Sequence, residues 1–547
     1  MDVIPYKKTA MDMATPASSL AVAPVLAITV DTTDDAYTVN TDSGNGFKAT
    51  ISRSSCDITS LIYRGTDYQY SSQGSHIASG LGSSVSVSYT TQDTYVIVQC
   101  VAASGGFDLT HYLVFQDAAD TIYMATNTNA EPEVGELRFI FRLTELTEAS
   151  PFPDVSNTAG SSSTVEGSDV FVVDGQTRSK FYSSERFIDD SVYCATDSGA
   201  SVHACWVRPN HQATEKSSGG PFFRDIDLNY GGDYHSVTYY MNSNHAQTEA
   251  YRQGFHGPYV FTFTRSGTPT ASSYDVSFFD DLGLDGYVAA SGRGTVSGKA
   301  SGVSTDVATV VHWYNDDYQY WAYTDSSRGF TSPPMAAGSY TQALYQGELL
   351  AATATVSVTA GGTTTADIAA DNTILTDTKR TTIFQLGDYD GQPTGFLNAD
   401  KQQRMHPSDS RMADWAPASV ASTDAAAFPM AIFSAVNDGQ KITFSLDSAV
   451  DGEATLRIAT TLAFASGRPQ GSVNDFQCDA PAAPTKIDSR GVTRGTYRGL
   501  GEVYECTVPA GTLVSGDNTV TINVISGSSG DTFLSPNVVF DAVELFY

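Results

Sequence analysis

The stretch VSVSYTTQDTYVIVQCV, Val85 to Val101, decides the fold class. Apolar and polar side chains alternate along it, the period of a strand with one buried face, and its apolar positions are β-branched or aromatic. The run YLVFQ, Tyr112 to Gln116, repeats the pattern, and from about Ala36 onward such runs are punctuated by Gly, Ser, Asp and Asn without convincing helical periodicity. Glycine is abundant, with 46 residues, aromatics reach 11% and charged residues only 17%. That composition favours an all-β globular protein over disorder or a coiled coil.

At 547 residues the chain exceeds what a single hydrophobic core supports, so several domains are expected. SFFDDLGLDG, Ser277 to Gly286, reads as a transition, and the piece ending near TAGGTTTADI has the size of an immunoglobulin-like sandwich. Its stretch VVHWYNDDYQYWAYT, Val310 to Thr324, reads as sandwich core in preference to an aromatic sugar platform. A third unit, from TTIFQLGDYDGQPTGF to the terminal NVVFDAVELFY, reads as a jelly roll. The expected division is a leader over 1–27, a catalytic sandwich over 28–284, a middle domain over 285–372 and a last domain over 373–547. Lys7 and Lys8 before SSLAVAPVLAITV carry the leader reading, although Asp12 and Pro16 interrupt it.

Lys and Arg number 30 against 61 Asp and Glu, a formal charge of -31, which argues against nucleic acid and anionic membranes as partners. No apolar run reaches the length of a membrane span. Cysteines stand at 56, 100, 194, 205, 478 and 506. Their order suggests local pairs, Cys56 with Cys100, Cys194 with Cys205 and Cys478 with Cys506, and hence an oxidising, extracellular compartment. The last of these, if unstrained, would contribute roughly 2–4 kcal/mol.

No P-loop, dinucleotide-binding, zinc-protease or nucleophile-elbow motif is present. Against the acidic background the basic residues stand out: Arg138 and Arg142, then Arg178, Lys180 and Arg186 in TRSKFYSSERF, then His245. Residues four apart share a strand face, as do Arg178 and Lys180, so these side chains are expected to converge on an anion. Glu185 with Asp189 is the pair a glycoside hydrolase would use. Asp388 and Asp390 in GDYDGQPTG suit a structural calcium or, with slight preference, an Asp/Gly turn.

Eleven ordered motifs, among them GELRFIFRL, EGSDVF, TRSKFYSSERFIDD, GGPFFRDI, YMNSNHAQTEAYRQGFHGPY, GYVAASGRGTVSG, RMHPSDSRM and DSRGVTRGTYRGLGEVY, resemble the fungal-type rhamnogalacturonan lyases of polysaccharide lyase family 4 from about Ala36 to Tyr547. The resemblance implies a galactose-mutarotase-like β-sandwich, a fibronectin-type-III-like sandwich and a jelly-roll domain similar to carbohydrate-binding modules. It implies an enzyme that cleaves the rhamnose-(α1,4)-galacturonic acid bond of rhamnogalacturonan I by β-elimination, with no catalytic metal or other cofactor. With the cysteines and the leader reading it is expected to be secreted, and a monomer is the expected state although the sequence leaves oligomerisation open. Lys180 and His245 are the implied catalytic pair and Arg138 and Arg142 the implied uronate ligands. Tyr239, Tyr240 and Arg490 are further expected substrate contacts, the last with Arg494 and Arg498 as an extension of the polyanion surface. Thr238 stands where the family pattern has an aromatic.

The residue types suit that chemistry. Removing the C5 proton of a galacturonate builds charge beside an existing carboxylate, so cations must hold the acid. A lysine accepts a proton only as the neutral amine, which neighbouring cations and burial favour. Histidine titrates near neutrality and suits an acid role. The competing expectations are a non-catalytic pectin-binding protein on the same fold and the carboxylate-pair hydrolase.

Overall fold

The structure is a computed structural model that describes residues 27–130, 136–245, 249–377, 379–486, 488–496 and 500–547. The leader expected over 1–27 lies almost wholly outside the described residues, as does Arg498. The described chain is all-β, with only short helical turns between strands.

Val85 to Val101 folds as a hairpin. Ser86–Gln92 pairs antiparallel with Tyr95–Ala102, from Ser86 opposite Val101 to Gln92 opposite Tyr95. Asp93 takes a φ of 50° at the turn, a conformation that aspartate tolerates better than most residues. The hairpin forms one edge of an eight-stranded antiparallel sheet that continues through Asp108–Gln116, Thr121–Ala130, Gly254–Thr264, His203–Val207 and Val192–Thr196 to Glu148–Ser150 at the other edge. A smaller sheet of Leu228–Tyr230, His235–Asn242, Leu137–Leu143 and His76–Ile77 packs against it. Between the two lie Phe139, Phe141, Trp206, Tyr239, Tyr259 and Phe261, with Phe141 stacked on Phe261 and the Trp206 indole donating to the Val237 carbonyl. Strand alternation therefore sends every second residue of the smaller sheet inward and its neighbours outward. The outward face carries the site described below.

The middle sandwich pairs a sheet built on Arg293–Ser301 with one ordered Gln319–Tyr323, Thr309–Tyr314, Gly338–Gln346, Leu349–Val358. Trp313 and Tyr320 fill its core. The aromatics of VVHWYNDDYQYWAYT are thus structural, and Trp321 joins Phe187, Phe222 and Phe223 in an apolar seam with the first sandwich. A buried ion pair crosses the same boundary, Arg293 to Glu215 at 2.6 Å, and the Tyr320 hydroxyl donates to that carboxylate.

The third sandwich sets Thr382–Gly387, Asn537–Phe546, Ala454–Phe464 and Val503–Val508 against a sheet ordered Ser419–Ala421, Gln440–Leu446, Gly516–Ile525, Arg468–Val473, Phe476–Gln477. Disulfides join Cys56 to Cys100, Cys194 to Cys205 and Cys478 to Cys506. The first ties a loop to the hairpin, the second links register partners of adjacent strands, and the third bridges the two sheets of the last sandwich. No helix among the described residues is long and apolar enough to cross a membrane.

The Asp388–Asp390 segment is a turn. Asp390 accepts from the Gln392 amide at 2.8 Å and from the Thr394 hydroxyl at 2.8 Å, and Asp541 caps the Asp390 and Gly391 amides. Among the described residues no group of three or more His, Cys, Asp or Glu is arranged to hold a metal ion. The calcium expectation thus gives way to the turn reading, because the carboxylate oxygens cap backbone and hydroxyl donors.

Candidate active site

The short 3₁₀ turn Lys180–Ser183 leaves the strand Gln176–Ser179, with the Ser179 hydroxyl capping the Phe181 amide. Phe181 and Tyr182 are buried and pin the turn. Ser183 then works as a hub: its hydroxyl donates to the Lys180 carbonyl at 2.7 Å and accepts from the Asp227 and Leu228 amides. The backbone of Lys180 is thereby locked to the segment that carries Asp225.

Asp225 is fully buried and receives the Ile226 amide, the Ser243 hydroxyl and His245 Nδ1, the last at 3.0 Å. Ser243 also caps the His245 amide. Because a carboxylate accepts, Nδ1 carries a hydrogen and Nε2 faces outward. Nε2 lies 3.3 Å from Glu136 Oε1, and Phe181 meets the imidazole edge-on. Burial alone would lower the pKa of His245, but the charge and hydrogen bond of Asp225, aided by Glu136, outweigh it and raise the pKa above 6.5. Asp225 and Glu136 thus both favour the protonated imidazole.

Arg138 stands opposite Tyr240 in the register of Leu137–Leu143 with His235–Asn242. Its guanidinium donates to the Tyr240 hydroxyl at 3.1 Å and pairs with Glu136. Tyr240 also borders His245, with ring centroids 6.3 Å apart. Lys180 approaches a carboxylate: Nζ is 3.9 Å from Asp169, which pairs with Arg494 at 3.0 Å.

Arg494 comes from the third sandwich, on the short helix Gly491–Arg494. It lies over Phe181 and, with Arg490, approaches Glu166 at 3.4–3.5 Å, while His406 reaches the other Glu166 oxygen at 3.6 Å. Tyr182 donates to the Thr493 carbonyl, and at Gly495, where φ is 71°, any Cβ would meet the Tyr182 ring at 2.9 Å. A cavity of about 200 Å³ opens between the domains, lined by Phe181, His245, Phe464, Arg490 and Arg494.

Several expected residues lie elsewhere. Arg142 is committed to the Gly74 carbonyl at 2.9 Å and to His76 at 3.4 Å, and is only 7% exposed. Of the two arginines, Arg138 shares Glu136 with His245, whereas Arg142 does not reach that cluster. Tyr239 points inward, stacked on Tyr259 and donating to the Ala213 carbonyl, because alternation places it on the opposite face from Tyr240. Arg178 binds the Asp154 carbonyl and Gln176, and Arg186 pairs with Asp189 and with Glu348 of the middle sandwich, whereas Lys180 approaches Asp169, the partner of Arg494. Glu185 is paired with Arg404 of the third sandwich and Asp189 with Arg186 and Tyr323. That proposed hydrolase pair is therefore an interdomain tether. Thr238 is buried.

Sequence reasoning missed Asp225, Glu136, Glu166 and Asp169. All four sit inside quoted motifs, but among 61 acidic residues nothing local distinguishes them.

The chain matches three family profiles in order: rhamnogalacturonan lyase B, N-terminal, over residues 28–286; polysaccharide lyase family 4, domain II, over 292–366; and polysaccharide lyase family 4, domain III, over 382–545. The chain belongs to polysaccharide lyase family 4. Within this lyase family it is 56% identical over 513 residues to rhamnogalacturonate lyase A of Emericella nidulans, covering 93% of this chain and 94% of that one. It is likewise 56% identical over 521 residues to rhamnogalacturonate lyase A of Aspergillus aculeatus, covering 94% and 96%. The profiles for domains II and III coincide with the second and third sandwiches, so the candidate site lies where the units matched by the N-terminal and domain III profiles meet.

Proposed function

We propose that this chain is a secreted rhamnogalacturonan lyase acting on the rhamnose-(α1,4)-galacturonic acid bond of rhamnogalacturonan I. The observation that carries the reading is the cluster of Arg138 and His245 around Glu136, with the Lys180 turn locked by Ser183 to the segment that bears Asp225, the partner of His245. Arg138 and His245 take the galacturonate carboxylate or the charge that builds on it. The Lys180 amine removes the C5 proton, the C4–O bond breaks with its electron pair on the glycosidic oxygen, and a C4–C5 double bond forms. As the C4–O bond breaks, the His245 Nε2–H turns from the carboxylate to the departing oxygen and supplies its proton. The disulfides suit an extracellular enzyme.

The test is ultraviolet absorbance of the product. Turnover of rhamnogalacturonan should generate an absorbing unsaturated uronate end; new reducing ends without absorbance would mean hydrolysis, and no new ends would mean a binding protein.

A second expectation concerns pH. An acid role for His245 requires its proton, so activity should fall as pH rises through its pKa, which lies above 6.5. Asp225→Asn removes the main cause of that elevation, so the alkaline limb should move to lower pH and kcat/KM near neutrality should drop roughly 10- to 100-fold. A kcat/KM profile from about pH 5 to about pH 9 reads this. An alkaline limb left in place would exclude Asp225 as the residue that holds the proton on His245.

A further inference from the structure

Glu136 spans the two cations assigned to the substrate. One oxygen lies 3.3 Å from His245 Nε2 and the other pairs with Arg138 Nη1, whose guanidinium also donates to Tyr240. A single carboxylate with its two oxygens on these two groups has the charge and the reach of the carboxylate of a galacturonate. Asp225, on the other side of the imidazole, differs in kind. It is 0% exposed and held by the Ile226 amide and the Ser243 hydroxyl, whereas Glu136 is 24% exposed and faces the open side of His245.

We infer that Glu136 is an internal stand-in for the substrate's carboxylate, and that uronate binding at this subsite is an exchange of one carboxylate for another. The inference rests on the proposed assignment of Arg138 and His245 as the uronate-holding cations. The exchange has two physical consequences. The cations are compensated before and after binding, which matters in a partly buried site where an unpaired charge is costly. Only an anion competes on equal terms, so a neutral sugar or an esterified uronate leaves Glu136 in place. Glu136 is therefore a specificity-determining residue, and its tethered carboxylate lowers apparent affinity by the fraction of time it occupies the site.

The experiment is calorimetric titration of galacturonate monomer into the full-length wild type and Glu136→Gln, with no turnover required. Galacturonate should bind Glu136→Gln roughly tenfold more tightly, and kcat/KM on rhamnogalacturonan should rise. Glu136→Asp, too short to span both cations, should tighten binding in the same direction. In the wild type, galacturonate should barely move the His245 imidazole resonance, since one carboxylate replaces another, and in Glu136→Gln it should move it strongly. Unchanged or weaker galacturonate binding in both variants, or an equal His245 shift in wild type and Glu136→Gln, overturns the inference. The two readings fail separately: tighter galacturonate binding without unsaturated product defeats the lyase assignment and leaves the exchange standing.

Discussion

Lys180→Ala should lower kcat by roughly 10²- to 10⁴-fold, the range a positioned general base supplies. The fold should survive. The only ion pair of Lys180 among the described residues is the 3.9 Å contact to Asp169, at a side chain 29% exposed, and such pairs contribute little to stability. The 3₁₀ turn is held by Ser179, Ser183 and the buried Phe181 and Tyr182, none of which needs the amine. Substrate affinity should change far less than turnover, because the base acts in the transition state. Lys180→Arg separates charge from proton transfer: the guanidinium keeps the cation but stays protonated, so this variant should be as slow as alanine. Single-turnover rates, with thermal melts as the folding control, decide the matter. A Lys180→Arg enzyme with near-normal turnover would assign the residue an electrostatic role and move the base elsewhere.

Arg138→Gln should lower kcat/KM by roughly 10²- to 10³-fold, comparable to the loss of a preorganised donor at a developing oxyanion. Glutamine can still hydrogen-bond to Tyr240 but supplies no charge, so the loss reports the electrostatic contribution. The rest of the molecule works against the substrate: at -31 the protein repels a polyuronate at long range. Moderate salt screens that repulsion over roughly 10 Å at 0.1 M while weakening the partly buried pairs less. Wild-type affinity should therefore hold or rise modestly with added salt, and the neutral rhamnose spacers should favour rhamnogalacturonan over homogalacturonan. Initial rates across a salt series on both polymers test this. Equal activity on the two polymers, or an Arg138→Gln enzyme unimpaired at all salts, would remove Arg138 from the account.

The sequence makes the strands legible because their signal is local. Val85 to Val101 alternates as a half-buried strand must, and Trp313 and Tyr320 of the Val310 to Thr324 stretch read correctly as core, although Tyr323 is exposed. Side-chain direction is less legible: Tyr239 and Tyr240 are neighbours of one type, and only the sheet pairing shows that the first packs inward on Tyr259 while the second meets Arg138. The basic residues mislead for another reason. Arg142, Arg178 and Arg186 are as conspicuous as Arg138 in an acidic chain, yet each satisfies a carbonyl, an amide oxygen or a carboxylate, and those partners are distant in sequence or masked by abundance. Asp225 is the converse, unremarkable among many acids until folding buries it against His245.

The contacts around Glu166 also bear on how this architecture can evolve and be engineered. Arg490, Arg494 and His406 converge on one carboxylate of the first sandwich, and the two arginines line the cavity that also holds His245. A terminal domain that merely tethered an enzyme to its polymer could be deleted, swapped or placed on a longer linker at little cost to turnover. Here the same operations would remove one wall of the reaction chamber and the arginine partner of Asp169. The first and third sandwiches are thus coupled through this wall, and chimeras between relatives should retain activity only when Glu166 and the Arg490–Arg494 segment come from the same parent.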